Sequence, residues 1–281
     1  MTIKQLKKSI EDTKVLRDIS ASYADVASGR FKTIRQKTEK NRLYLEELSQ
    51  VFKSVKQVAA QKKLLAPKNG KTINIILTSN YQFYGDINYK LIKFFLEQSK
   101  SESDTLIIGK TGSIYLKQFK YASKFDEFIL KKDFPNPEEL ESLVVKVADY
   151  SQILVYFSKL QSVILQNPTA IDITQTSYLK EDSQNALERP FIFEPEINKV
   201  LGFFETQVKG LLLQQTFLES ELARTGARVL TMDKAKETAQ NLIAKNRASL
   251  NLSLKTEVNS SILQTTVTLK ALRERGDYDT I

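Results

Sequence analysis

The sequence predicts an α/β protein in which two long N- and C-terminal helices form an antiparallel coiled coil and enclose an inserted α/β domain with a mainly parallel sheet. First, all six prolines lie between Pro67 and Pro195, and proline is excluded from helix interiors. Second, apolar residues in the proline-free arms recur at helical spacing. Third, strand-like and helix-like segments alternate between the arms. The predicted parts are an N-terminal helix at 1–66, an α/β domain at 67–190 and a C-terminal helix at 191–281.

Both arms carry an apolar stripe that we expect to join the two helices. In the first arm the stripe steps by three and four positions, through Leu16, Ile19, Tyr23, Val26, Leu45, Leu48, Phe52, Val55 and Ala59. In the second arm it is interrupted, and runs through Leu201, Phe204, Val208, Leu211, Leu218, Leu222, Val229, Met232, Ala239, Leu242, Leu250, Val258, Ile262 and Leu269. The imperfect heptads favour a coiled coil with stutters, or packing against a second surface.

The sequence pattern in the middle of the chain is typical of a sheet covered by helices. Short apolar runs predict strands at 72–78, 105–108, 125–130 and 153–157, with a further candidate at 171–179. Helical spacing predicts helices at 87–98, 113–121 and 137–150. Strands that alternate with helices imply a mainly parallel sheet. The polar stretch 180–190 is expected to return the chain to the C-terminal arm.

Composition narrows the classes of function. The chain has no cysteine and no histidine, which removes disulfides, thiolate chemistry, imidazole catalysis and the usual zinc ligands. We therefore expect no cofactor. The charged N-terminus lacks the apolar stretch of a signal peptide, and no run approaches the roughly 18 to 20 apolar residues of a membrane span, so a cytoplasmic location is expected.

The net charge of +9 is concentrated in one arm. Residues 1–63 hold 15 Lys and Arg against 7 Asp and Glu, a net of 15 − 7 = +8. This excess is compatible with a solvated helix face, with a nucleic-acid-binding rod, or with a basic rod lying against acidic protein. A nucleic-acid interface is disfavoured, because interleaved aromatics or a recognised module are not visible.

Two stretches resemble phosphate-binding loops but lack residues that such loops need. Gly109-Lys110-Thr111 would need an earlier glycine where Asp104 stands, so Gly109 and Gly112 are interpreted as a strand-to-helix turn. The stretch LTSNYQFYGDIN at 77–88 has one glycine and no lysine.

The stretch at 77–88 is better explained as a structural turn. We expect Asp86 to cap the helix that begins near Ile87, and Tyr81, Phe83 and Tyr84 to pack on a neighbour.

Adjacent carboxylates are the remaining catalytic candidates, at Asp126 and Glu127, at Glu138 and Glu139, and at Glu46 and Glu47. Neighbouring residues on a helix do not face each other, and solvated faces carry such pairs routinely. We expect the chain to have no catalytic site of its own.

Three stretches stand as landmarks in order along the chain: residues 6–36 with a basic residue at Arg30, Phe193-Glu194-Pro195, and residues 220–235, SELARTGARVLTMDKA. Together they resemble the gamma subunit, or central shaft, of F-type rotary ATP synthases. The first resembles that family's opening helix, the second the segment before its final helix, and the third its Ser-Glu-x-x-Ala-Arg block. The ordered landmarks cover residues 4 to 275.

The turn at 77–88 is similar to the family's Thr-Ser-Asp-Arg-Gly signature but departs from it. Thr78, Ser79, Gly85 and Asn88 match, whereas Asn80-Tyr81-Gln82 replaces Asp-Arg-Gly and Tyr84-Gly85-Asp86 replaces Cys-Gly-Gly. We expect altered partner contacts at this turn.

The resemblance implies a central-stalk rotor subunit, one copy per complex, that couples ion-driven rotation to conformational change. The implied partners are the nucleotide-binding alpha and beta ring subunits, a small epsilon-type stalk subunit and the membrane rotor ring, without nucleic acid. The implied location is peripheral, on the cytoplasmic side of the cell membrane. Candidate partner contacts are Arg30, Lys32, Arg35, Arg224 and Arg228.

Gly226, within the C-terminal helix, is expected to mark close helix approach or a local bend.

The hypotheses that compete with a rotor subunit are a coiled-coil scaffold or nucleic-acid-binding rod without a rotary partner, and a small enzyme that uses residues 68–190 alone.

Overall fold

The structure is a computed structural model that describes residues 1–61, 70–99, 103–162, 164–174 and 197–276. It divides into two compact units, Met1–Ala24 with Met232–Ile281, and Asp25–Thr231. Two long helices, α1 (Ile3–Gln61) and α5 (Ile197–Gly276), contribute to both units. The predicted domain boundaries at 66 and 190 lie outside the described residues, so they stay predictions.

A five-stranded sheet occupies the unit 25–231, in the order β3-β2-β1-β4-β5. Its strands are β1 (Thr72–Leu77), β2 (Asp104–Ile108), β3 (Asp126–Phe128), β4 (Gln152–Leu160) and β5 (Gln166–Asp172). The helices between them are α2 (Ile87–Gln98), α3 (Lys110–Gln118) and α4 (Pro137–Val147). The pairs β1·β2, β1·β4 and β2·β3 are parallel, and β4·β5 is antiparallel. The prediction of a mainly parallel sheet is confirmed.

The predicted position of the last strand is wrong, because the strand lies earlier in the chain. Strand β5 begins at Gln166 and ends at Asp172, whereas the predicted strand ran from 171 to 179. The described residues 173 and 174 are not in a strand, and 175–179 lie outside the described residues. The polar residues of QNPTAID obscure the strand in the sequence, because β5 is an edge strand and its side chains are only partly buried.

The sheet is covered on both faces because its strands alternate their apolar side chains. In β1, Ile73, Ile75 and Leu77 face a core completed by α4 and by side chains of both long helices. Ile76 faces the opposite core, with Leu91 and Phe95 of α2 and Leu116 of α3. Such double burial explains why β1 reads as a continuous apolar run.

The first part of the predicted α1 stripe is wrong. Leu16, Ile19, Tyr23 and Val26 are 47–71% exposed. The buried face of α1 instead carries Leu6, Ile10, Thr13, Ala24, Ala27, Ile34, Thr38 and Leu45. This face combines short side chains with large apolar ones, and it uses other positions of the helix than the predicted stripe.

Farther along, the predicted stripes are partly confirmed. Leu45, Val208, Leu218, Leu222, Met232 and Ala239 are buried. Leu242, Val258, Ile262 and Leu269 are exposed. The side chains of Phe52, Val55, Ala59, Leu201 and Phe204 lie outside the described residues. Because the exposed members cluster late in α5, the interruption of the stripe marks where the helix stops being covered by this chain.

The two long helices run antiparallel within the unit 25–231. The Arg30 guanidinium bonds the Glu221 carboxylate, and Asn41 Nδ2 donates to Gln215 Oε1 at 2.7 Å. In the other unit, Asn246 Nδ2 donates to Ser9 Oγ at 3.1 Å. Within the unit 25–231, a contact farther along α1 therefore involves a residue earlier in α5. This order is the one that an antiparallel pair of helices requires.

Gly226 lies where α5 is crowded by two other elements. A Cβ built on it would lie 3.3 Å from Leu160 Cδ1 of β4 and 3.4 Å from Phe31 Cε2 of α1. Both contacts are tighter than most Cβ contacts, so any larger side chain would have to displace them. The expectation of close approach at Gly226 agrees with this geometry.

We predict opposite effects of one substitution at two glycines of α5. Gly226→Leu should lower the free energy of unfolding by about 1 to 3 kcal/mol, because overpacking costs more than helix propensity returns. The control Gly202→Leu should raise it by up to about 1 kcal/mol, because a Cβ at Gly202 has no atom within 4 Å. Urea denaturation of the full chain measures both, and a stabilised Gly226→Leu variant would contradict the packing described.

Candidate interaction site

The turn between β1 and α2 is joined to the turn between β2 and α3. Thr78 Oγ1 donates to the Ile108 carbonyl at 2.8 Å and accepts from the Gly112 N–H at 3.0 Å. Gly109 has a φ of +99°, and a Cβ on it would lie 2.7 Å from the Thr78 carbonyl oxygen. A Cβ on Gly112 would lie 2.7 Å from Thr78 Oγ1. The glycines of the GKTG stretch therefore allow the turn after β2 to pack closely against the turn after β1.

A polar cluster forms where the first turn meets the segment after β3. The buried Asp133 carboxylate accepts the Asn80 backbone N–H at 2.7 Å and the Tyr84 hydroxyl. Asn80 Nδ2 in turn donates to the Leu130 carbonyl at 2.7 Å. Each polar group is thus paired inside the protein, as burial requires. These bonds fix the turn on the carboxyl side of the sheet.

Arg224 of α5 ties this cluster to the long helix. Its side chain is buried at 2% exposure, with Nη1 3.1 Å from the Thr78 carbonyl oxygen and 3.1 Å from Ser220 Oγ. Nη2 donates to the Asp133 carbonyl at 3.1 Å. A guanidinium can donate to several acceptors in one plane, so one side chain clamps two loops to one helix. The Arg224 cluster, meaning Arg224, Thr78, Asp133, Tyr84 and Asn80, is the structural centre of this region.

Arg228, one helical turn farther on, covers the outer side of the cluster. Its guanidinium carbon lies 4.1 Å from the centre of the Tyr84 ring, and Nη2 donates to the Gln82 carbonyl at 3.2 Å. A cation over an aromatic face is attracted by the ring's quadrupole. The ring also packs with Ile87, Ala223 and Ala227.

Burial raises the pKa of the Tyr84 hydroxyl well above its ordinary value of 10.0, and the hydrogen bond to Asp133 adds to this rise. The two arginines oppose the shift more weakly. The neutral phenol is therefore the form that the folded chain favours.

A second set of polar contacts joins α1 to α5. The buried Glu221 carboxylate bonds Arg30, and the buried Glu219 Oε1 accepts from Arg42 Nη2 at 3.3 Å and from Gln215 Nε2 at 3.0 Å. Arg30 remains half exposed, so one face of it stays accessible. Glu219 and Glu221 thus offset part of the positive charge of α1 from within the helix pair.

The predicted contact residues separate into two groups. Lys32 and Arg35 are exposed on α1, and Arg30 is half exposed, although residues two positions apart on a helix do not share a face. Arg224 and Arg228 instead lie on α5 in the Arg224 cluster. The partner-contact role remains a prediction for all five, and the bonds of Arg224 within the chain point to an internal role for that residue.

The expected cap at Asp86 is corrected by the structure. Asp86 stands at the N-cap position of α2, but its side chain makes no capping hydrogen bond. Its carboxylate instead lies 2.9 Å from Lys90 Nζ. With a φ of −97° and a ψ of 8°, the residue lacks the extended conformation that usually directs a side chain to the first helical amides.

Three of the paired carboxylates have partners that account for them structurally. Asp126 lies 2.8 Å from Lys146, and Glu127 lies 3.2 Å from Lys117. Glu139 forms a capping box with Asn136 at the start of α4. Over the ranges that the structure describes, no group of three or more acidic residues is arranged to hold a metal ion, and no helix is long and apolar enough to span a membrane.

Sequence reasoning missed the acceptors that give the arginines their roles. Glu221 and Arg224 were visible within the SELAR block, but Asp133 lies in the unremarkable stretch KKDFP. Its only signal was an acidic residue that follows two lysines a few positions after a strand. The contact depends on a separation of 91 residues in the chain, which no local pattern reveals.

The fold and the site define a class of protein in which two long helices, antiparallel within the unit 25–231, flank an inserted α/β domain that an internal arginine clamps to the C-terminal helix. Comparison with known proteins identifies the family. The family model described as ATP synthase matches residues 2–271. A match over nearly the whole length shows that the chain belongs to this family, and its relatives place it among the gamma chains.

Those relatives cover the chain almost completely. The chain is 29% identical over 278 residues to the ATP synthase gamma chain of Clostridium novyi, with 94% of this chain and 93% of that one covered. It is 23% identical over 286 residues to the gamma chain of Rickettsia akari, with 93% and 96% covered.

Solved structures support the fold. The rotor of the Euglena gracilis mitochondrial ATP synthase superposes with a TM-score of 0.65 at 12% identity, over 92% of this chain and 99% of that one. The central stalk and c-ring structure of the Tetrahymena thermophila enzyme includes a chain that superposes with a TM-score of 0.52 at 18% identity, over 79% and 98%. The long-helix architecture is therefore common to these chains.

We predict that Arg224→Met lowers the free energy of unfolding by roughly 3 kcal/mol, because it leaves buried carbonyl oxygens without donors. The same substitution at the exposed Arg247 of α5 should change it by less than about 0.5 kcal/mol. Urea denaturation of both full-length variants measures the difference. Equal stability of the two variants would show that Arg224 does not clamp the turns.

Stability should depend on pH through Tyr84. Because the pKa of Tyr84 is higher in the folded chain than in the unfolded one, its contribution is complete below the ordinary value of 10.0 and is lost as pH rises through and beyond it. Between pH about 9 and 11, Tyr84→Phe should therefore lose less stability than the wild type does. Tyr81→Phe, at an exposed tyrosine, is the control and should follow the wild type. Identical pH slopes for Tyr84→Phe and wild type would contradict the prediction.

Proposed function

We propose that this chain is the non-catalytic shaft of a rotary ATP synthase or ATPase, present in one copy per complex. Its long helices would stand within a ring of nucleotide-binding alpha and beta subunits. Its α/β domain would contact a small epsilon-type subunit and the membrane rotor ring, on the cytoplasmic side of the cell membrane. Membership of the gamma chains supports this role.

The proposal depends most on the C-terminal part of α5, whose side chains this chain leaves exposed. Every side chain from Leu254 to Arg273 is exposed, although many are apolar, namely Leu254, Val258, Ile262, Leu263, Val267, Leu269 and Leu272. The segment would extend about 30 Å as a helix. A single helix of this length is marginal in water, so a surrounding apolar surface is needed to stabilise it.

The composition of this end distinguishes protein from nucleic acid as its partner. Between 254 and 273 the charged residues are Lys255, Glu257, Lys270 and Arg273. Binding to a phosphate backbone depends on a dense array of cations, and sparse charges on an apolar surface do not supply one. A cavity lined by apolar protein fits this surface better.

The exposed basic residues of α1 support a second kind of contact. Arg30, Lys32 and Arg35 lie on accessible positions, and opposite charge on a partner would steer assembly and fix its orientation. As the shaft turns, different ring subunits would meet its unequal surfaces in succession. A difference in contact free energy between subunit conformations is enough to shift their populations.

Co-purification from the native host tests the proposal. A tagged chain should bring down nucleotide-binding ring subunits, and their recovery should survive nuclease treatment. Recovery of nucleic acid alone, or of a partner that nuclease releases, would favour the rod hypothesis instead.

We predict that Val258→Ser, Ile262→Ser and Leu269→Ser combined reduce recovery of the ring subunits at least about tenfold, because each removes apolar surface from the contact. The matched control replaces Thr256, Thr265 and Thr268 with serine on the same segment and should assemble normally. Both variants should melt within a few degrees of wild type when isolated, since these side chains are exposed. Full recovery with the first variant would contradict a buried α5 end.

A further inference from the structure

The strand order creates a crevice between the carboxyl ends of β1 and β4. The chain passes from β1 through β2 to β3 on one side of the sheet, and it then returns to the other side of β1 as β4. The helices α2 and α3 cover one face of the sheet, and α4 covers the other. In open parallel sheets, ligands bind outside the carboxyl ends of the strands at such a reversal of strand order.

The long helix α5 occupies this crevice. Phe217 of α5 packs on the face of the sheet that α4 covers. Farther along α5, Ala223 and Ala227 belong to an apolar cluster against which Leu160, the last residue of β4, is packed. Tyr84, from the turn after β1, is part of the same cluster. The helix therefore lies across the ends of both strands and fills the space between them.

The backbone groups that face α5 in the crevice are acceptors. The carbonyl oxygens of Thr78 and Asp133 each lie 3.1 Å from a terminal nitrogen of Arg224. The Thr78 N–H instead donates to the Ile108 carbonyl at 2.8 Å, and the Asn80 N–H donates to the Asp133 carboxylate at 2.7 Å. A phosphate site needs free backbone N–H groups. Because these donors are used within the chain, the crevice suits a cation.

The positions of the acceptors suit a planar cation with several donors. The Arg224 guanidinium uses Nη1 for the Thr78 carbonyl and for Ser220 Oγ, and it uses Nη2 for the Asp133 carbonyl. An ammonium group is a compact point charge without this fixed fork of donors. The side chain is 2% exposed, so these acceptors take the place of water around the charge. The crevice is therefore matched to a guanidinium group.

We propose that the crevice between the carboxyl ends of β1 and β4 is a guanidinium-binding site, which α5 fills from within the chain through Arg224. The site has the position of the phosphate-binding crevice of dinucleotide-binding folds, with acceptors where those folds have donors. A nucleotide would meet the acceptors and the helix at this position. The hypothesis of a small enzyme on residues 68–190 therefore loses its expected ligand position.

Rescue of the full-length Arg224→Ala variant by a small molecule tests the site. The substitution removes Cγ, Cδ and the guanidinium group, and ethylguanidinium supplies the same atoms. Because a ligand that binds only the folded chain stabilises it, the melting temperature should rise and level off, by about 3 °C at about ten times the dissociation constant. Concentrations of about 1 to 50 mM are suitable, since denaturation by guanidinium salts scales with molar concentration.

Matched controls separate binding in the crevice from general effects of the salt. Wild type should show no rise, because its own side chain fills the site. Arg247→Ala, at an exposed position of α5, should also show none. Arg224→Met should not respond, because its side chain occupies the space. Ethylammonium and N-ethylurea should stabilise Arg224→Ala less than ethylguanidinium does, because the first lacks the planar fork and the second lacks the charge.

Folding of Arg224→Ala only when ethylguanidinium is present would support the site as strongly as a rise in melting temperature. An absent rise, a rise equal to that of Arg247→Ala, or failure to fold at the highest concentration would overturn it. Equal rescue by N-ethylurea would reduce the effect to filling of a cavity and would overturn it too. Stabilisation of the same variant by inorganic phosphate or ATP would show a site for anions, which contradicts the proposal.

Discussion

Arg224 donates to the carbonyls of Thr78 and Asp133 from a position inside the protein, and so ties the turn after β1 and the segment after β3 to α5, which also packs on the sheet through its apolar side chains. A buried guanidinium is costly unless its donors are matched and a counter-charge is close. The turns after β1 and β3 supply the acceptors, and Asp133 supplies the carboxylate of the same cluster. The position of the two loops against α5 and the neutralisation of the buried charge therefore depend on the same set of bonds. A torque carried by α5 would reach the sheet through these short bonds between rigid elements.

The long helices leave part of their apolar surface outside. Ala24, Ala27, Ala223 and Ala227 lie buried beside larger residues such as Leu45 and Leu222, while Leu16 and Ile262 face outward. This arrangement allows the paired helices to approach closely and leaves apolar surface for something outside the chain. A protein that worked alone would pay for that surface in solubility. A shaft enclosed by other subunits gains binding free energy from it.

Much of this fold was predictable from local chemistry, because the distribution of proline marks the long helices and buried parallel strands read as apolar runs. Strand β5 was placed too late because an edge strand tolerates polar residues, and the first part of the α1 stripe was wrong because its large apolar residues were assumed to face inward. The role of Asp133 depends on contacts between distant segments. Local patterns carry no information about such contacts, so the sequence pointed to the turn without revealing its bonds.

Rotation of the α/β domain with the shaft tests the central claim most directly. The chain has no cysteine, so Lys124→Cys on the exposed surface of that domain gives a single attachment point for a reporter rod. With the ring subunits immobilised and ATP supplied, the rod should turn continuously in one direction. Complexes that hydrolyse ATP while the rod stays still, or moves without a preferred direction, would contradict the account.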